Sequence, residues 1–156
     1  MNNIENLNSQ RLKFGDTAVD GLICGIWAGI AMAGFIVIAG WLAGDSLSTS
    51  VSRFSIHPNT TPWMTVITHL AISAVYGLFF ALIVLALSRL VRPSIWINLL
   101  TGVVYGFTLW IVANSILLSV FSSSLNEIPG LTLMIGHLIY GLVLGFSMSS
   151  KVMYNG

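Results

Sequence analysis

Apolar and polar positions segregate along this chain on the scale of whole helices, not of single turns. Four stretches, Gly21 to Gly44, Trp63 to Ser88, Ser94 to Val120 and Ile128 to Ser150, contain no Lys, Arg, Asp or Glu. Each exceeds the roughly 20 residues that an α-helix needs to cross a hydrocarbon core. The pattern predicts an all-α integral membrane protein with four transmembrane helices, spanning about 17–44, 63–88, 94–120 and 129–150. A polar tail over 1–15, the membrane domain over 16–150 and a short tail over 151–156 complete the chain.

Local signals place the helix ends. Thr17 and Asp20 have capping-box spacing, and Asp16 is an equally good cap, so the first helix is expected to start there. Asp45 to Thr61 is rich in Ser, Thr, Asn and Pro and reads as a loop, with one short turn bringing Val51, Phe54 and Ile56 to the membrane surface. Thr61-Pro62 supplies a cap followed by proline at the first helical position, and Pro129 suits the start of the fourth helix. The connection around Arg89 to Pro93 is tight, which makes helices two and three antiparallel neighbours in an up-down-up-down bundle. Trp41 and Trp63 suit one membrane interface and Trp96 the other.

Charge fixes the expected orientation. Arg11, Lys13, Arg89, Arg92 and Lys151 fall on one side of a four-span chain, and Arg53 alone on the other. The positive-inside bias then puts both termini in the cytoplasm. Only 7% of residues are charged, against about a quarter in a soluble domain. The net charge of +1 argues against a nucleic-acid surface. The single cysteine, Cys24, lies in the first span, so no internal disulfide and no cysteine metal cage can form. The first fifteen residues lack the apolar core and cleavage site of a secretory signal and are expected to be kept.

Small residues recur every fourth position: Gly21, Gly25, Gly29 and Ala33; Ser73, Gly77 and Ala81; Gly102 and Gly106; Gly141, Gly145 and Ser149. Lipid gives helices no hydrophobic reason to associate, so close approach through such stripes supplies the packing, within the bundle or toward a partner. Helices two and four share a His-Leu pair followed by small residues at matching intervals, a short internal similarity.

The intramembrane polar groups are the candidate site. His69 falls roughly 10 Å below the outer end of its helix and His137 roughly 12 Å below its own. Asn114 continues the line Gly102, Gly106, Trp110 and is expected at the same level, so three polar side chains converge. One reading is a neutral hydrogen-bonded network of the imidazoles with Asn114, Ser73 or Thr68. A second is bis-histidine ligation of haem b by His69 and His137, with Ser73, Gly106 and Gly141 leaving room for the flat ring. A third is contact with quinone, lipid or pigment. His57, in the outer loop, reads as an ordinary exposed histidine, and no metal site is expected.

The decapeptide Gly136-His137-Leu138-Ile139-Tyr140-Gly141-Leu142-Val143-Leu144-Gly145 resembles the fourth helix of a family of small bacterial four-span membrane proteins. Tyr105 to Trp110 is similar to that family's third helix and Thr68-His69-Leu70 to its second. A histidine often precedes the helix-three tryptophan there, whereas Leu109 holds the place here. The resemblance implies a bacterial membrane location and a four-helix fold, and it brings no activity.

No intramembrane carboxylate, nucleophile beside a base or phosphate loop is present, so the chain is not expected to be an enzyme. The leading expectation is a non-catalytic accessory subunit of a larger bioenergetic complex (electron transfer or photosynthetic) in the bacterial inner membrane. Its partners are other membrane subunits and lipids, and it needs no cofactor. The alternatives are a small b-type cytochrome and a passive channel or lipid-binding protein.

Overall fold

The computed structural model describes residues 2–55, 60–92, 94–117 and 127–154. They form helices α1 (Asn2–Leu42), α2 (Leu47–Ser52), α3 (Pro62–Leu87) and α4 (Ile95–Val112), a π-helical turn (Ala113–Leu117), and α5 (Gly130–Tyr154). Among the described residues there is no strand. Four segments are long and apolar enough to cross a membrane: Phe14–Leu42, Pro62–Leu87, Ile95–Ser115 and Gly130–Ser149.

The helix ends follow the chemistry of their termini. Thr61 caps α3, its hydroxyl accepting from the Met64 amide at 3.4 Å, and Pro62 sits where an amide would have no helical partner anyway. Ser94 caps α4 in the same way through Ile97 N at 3.3 Å. Helix α1 stops in a Schellman turn. Asp45 N donates to Gly40 O and Gly44 N to Trp41 O, both at 3.0 Å, and Gly44 takes the left-handed φ of 99° that the turn requires.

One expected start is corrected. Helix α1 does not begin at Asp16 or Thr17 but runs unbroken from Asn2, so Thr17 and Asp20 lie inside it. The preceding residues include Glu5, Leu7, Gln10, Arg11, Leu12 and Lys13, all good helix formers, with no proline to stop the helix. A capping motif caps only where the helix ends.

Packing joins the helices as two tight pairs. In the first, Gly21 of α1 meets Ala81 of α3, Gly25 meets Gly77 and Ser73, and Gly29 meets Ser73. Numbers rise along one helix as they fall along the other. In the second, Gly102 and Gly106 of α4 lie on the backbone of Gly141, Gly145 and His137 of α5. The stripes therefore pack inside the bundle. Side chains join the pairs: Cys24, Ala28, Met32 and Ile36 of α1 form one buried line, and Met32 and Ile36 touch Gly136 of α5. Phe80, Leu133, Tyr140, Leu144 and Met148 complete this core. The pairs meet through α1 and α5, whereas α3 and α4 barely touch despite their short connection.

These contacts set a steep size limit. A methyl group at Gly77 would fall on the backbone of Gly21 and Gly25, while one at Gly34 meets nothing within 4 Å. Gly77→Ala should lower stability in mild detergent by about 1–3 kcal/mol, the usual cost of overpacking. Gly34→Ala should leave the thermal transition unchanged or slightly higher. Equal thermal shifts for the two variants would contradict this packing.

Candidate functional site

Helices α3 and α5 bring the predicted histidines together. The two imidazoles lie within electrostatic range of each other, one from each helix pair. His69 bonds through Nε2 to the Gly29 carbonyl at 3.1 Å, and His137 through Nδ1 to the Leu133 carbonyl at 2.8 Å. A carbonyl only accepts, so each ring must donate there. In the neutral rings this assigns the proton to Nε2 of His69 and to Nδ1 of His137. The Phe54 ring covers His69, with centroids 5.0 Å apart.

One turn further along both helices, a second layer repeats the device. Tyr140, 2% exposed, donates to the Ser73 carbonyl at 2.6 Å, and Tyr105 donates to the Tyr76 carbonyl at 2.8 Å. The three tyrosines lie within electrostatic range of one another, and Phe80 packs on Tyr105 at 5.3 Å. Three of these four bonds link different helices: α3 to α1, α4 to α3 and α5 to α3. Their acceptors are helix carbonyls, whose second lone pair can take an extra donor without breaking the helix.

The remaining candidates fall elsewhere. Asn114 is exposed in the π-helical turn and does not join the histidines. Twelve residues at 100° each carry a helical position about 120° around the axis from Gly102, so a line of four-residue steps drifts off the face it starts on. Thr68 has no bond to either imidazole among the described residues. Phe54 turns inward onto His69 instead of lying at the membrane surface, and Ile56 and His57 lie outside the described residues.

The haem geometry can be tested on the three positions expected to make room for the ring. Ser73 packs on Gly25 and Gly29, Gly106 on the His137 backbone, and Gly141 on Gly102. All three are filled by neighbouring helices, and the Tyr140–Ser73 bond ties α5 to α3 one turn from the histidines. The residues present do not fit a macrocycle between His69 and His137. No group of three or more metal-ligating side chains occurs among the described residues.

Sequence reading missed two features. Asn98, 3% exposed, is a buried polar residue near the start of α4, and Gly145 packs on its backbone. At the opposite end of the bundle, Arg53 forms a two-pronged ion pair with Asp45, its Nη2 lying 2.9 Å from Oδ1. Its Nε faces Glu127 Oε2 at 3.6 Å. Asp45 and Arg53 are eight residues apart, whereas Glu127 comes from a distant part of the chain, and no spacing rule would have grouped it with them.

No family model, no curated protein and no solved structure matches this chain.

The bonding pattern predicts structural losses. Tyr140→Phe and His69→Ala should each lower stability by about 1 kcal/mol, as interhelical bonds in membranes do. A reduced-minus-oxidised spectrum of the purified protein should lack a haem α-band. A band abolished by changing both histidines to alanine would reverse the assignment.

Proposed function

We propose that this protein is a non-catalytic accessory subunit of a larger assembly in the bacterial inner membrane, one of the bioenergetic class expected from its sequence. In this reading the helices run up-down-up-down with both termini cytoplasmic. The observation that carries it is the use made of the intramembrane polar groups. His69, His137, Tyr105 and Tyr140 each bond to a backbone carbonyl, and three of those bonds hold helices together. Groups that could bind or transfer protons are used here as fasteners.

Two further features support the proposal. Among the described residues, the buried positions of α4 are Asn98, Gly102 and Gly106, all polar or side-chain-free. Trp96, Leu100, Val104 and Phe107 point away from the bundle, while Tyr105, Leu109 and Trp110 pack on its core. With α3 and α4 barely in contact, that side offers a neighbouring helix an apolar approach. The orientation draws on charge: Arg53 is neutralised by Asp45 and Glu127, whereas Arg89 and Arg92 lie at the other end of α3 without a carboxylate partner among the described residues.

Blue-native electrophoresis after mild solubilisation tests the subunit role. The chain should migrate within an assembly far larger than its own 16.8 kDa. Val104→Trp, which adds bulk on the outward face of α4 while staying apolar, should release it. Migration of the unaltered protein as a lone monomer would exclude the proposal.

A further inference from the structure

A cavity of about 280 Å³ lies where the end of α1, the short helix α2 and the start of α5 come together. One part of its wall is apolar, formed by Ile36, Ala39 and Ile128, and another is polar, with Ser50, Arg53, Glu127 and Thr132. The Ser50 side chain is 1% exposed and its Oγ has no hydrogen-bond partner. Arg53 spends both Nη atoms' worth of contact on Asp45, and its buried Nε is likewise without a hydrogen bond, the Glu127 carboxylate being 3.6 Å away. An unmet hydroxyl at such depth is costly, and beside an Arg53 Nε whose carboxylate partner stands off at 3.6 Å it points to an oxygen acceptor that completes both.

Charge narrows the ligand. Asp45, Arg53 and Glu127 together carry a formal charge of −1, which repels a simple anion. The Glu127 side chain, though it faces Arg53 Nε at 3.6 Å, is 63% exposed, so its carboxylate can also meet a cation from outside. A ligand therefore needs an acceptor oxygen for Arg53 Nε and Ser50, an ammonium for Glu127, and a hydrocarbon part for the apolar wall. Trp41 and Trp63, 67% and 79% exposed near the same end of the bundle, mark the level at which phospholipid headgroups lie.

We propose that this cavity binds a zwitterionic aminophospholipid, with its phosphate oxygen on Arg53 Nε and Ser50 and its ammonium on Glu127. The choice of leaflet rests on the orientation proposed above; the site does not, and it is independent of the subunit role.

Native mass spectrometry of the delipidated full-length protein in detergent tests this with short-chain phosphatidylethanolamine, phosphatidylglycerol and free phosphoethanolamine. Phosphatidylethanolamine should bind at about tenfold lower concentration than phosphatidylglycerol, as expected when a charge-assisted hydrogen bond is gained. Glu127→Gln should abolish that preference, and Ser50→Ala should weaken binding of both lipids. Circular dichroism checks that each variant is folded, and the exposed Glu127 position keeps the test decisive if Ser50→Ala is not. Equal binding of the two lipids, or a preference surviving Glu127→Gln, would overturn the proposal. Free phosphoethanolamine binding as tightly as the lipid would overturn the lipid assignment.

Discussion

Direct contact between helix backbones is the constraint on which the rest of this molecule depends. In lipid the outer faces of the helices gain nothing by leaving their surroundings, so association must come from close packing and hydrogen bonds. Gly25 against Gly77, and Gly102 against Gly141, allow approaches that any side chain would block. Short separation does more than add dispersion contacts. It brings carbonyl oxygens of one helix within reach of side chains on another, which is why His69 can bond Gly29 O across the α1–α3 contact. The His69 fastener thus depends on the glycine contacts of its helix pair.

The fasteners in turn join what the glycines leave apart. Glycine packing makes two pairs, α1 with α3 and α4 with α5, and these pairs share no small-residue contact across α3 and α4. Tyr105 and Tyr140 both come from the second pair and both bond carbonyls of α3 in the first. Each bond is worth only about 1 kcal/mol, but the alternative is a phenol without a partner in hydrocarbon, which costs more. Both tyrosines also bring large rings to the seam, where Phe80 packs on Tyr105. The open side of the bundle is held by a few polar contacts and aromatic bulk, while the closed sides are held by backbone proximity.

Much of this was legible in the sequence because the relevant forces are local or periodic. Span positions follow from the absence of charge, the Thr61-Pro62 start of α3 from cap chemistry, and the mutual packing of small-residue stripes from four-residue spacing. What escaped had a different origin. The start of α1 depends on whether a helix is already running when it reaches Thr17, which a cap motif cannot reveal. The line from Gly102 to Asn114 failed because four-residue steps overshoot the helical repeat of 3.6, and the error accumulates with each turn. At Ser73, Gly106 and Gly141 the space expected between helices two and four is taken by the contacts those small residues make, because a four-residue spacing does not say which helix a small face meets.

The charged end of the bundle extends this logic beyond the hydrocarbon. Arg53 and Phe54 are adjacent, and their side chains serve opposite ends of one device. Arg53 is held by Asp45 at the end of α1 and faces Glu127 at the approach to α5, and this fixes the segment after α2 across the bundle. The same placement lays Phe54 on His69 and closes the polar layer beneath it. An exposed ion pair would contribute little, but these side chains are only 20% and 18% exposed, and the pairing with Asp45 is two-pronged. The charge pair therefore has a positional role larger than its energy: it orders an otherwise polar loop so that an aromatic ring covers His69. That ordering also shapes the cavity between α1, α2 and α5, so the cover over His69 and the proposed lipid site are two consequences of one arginine's position.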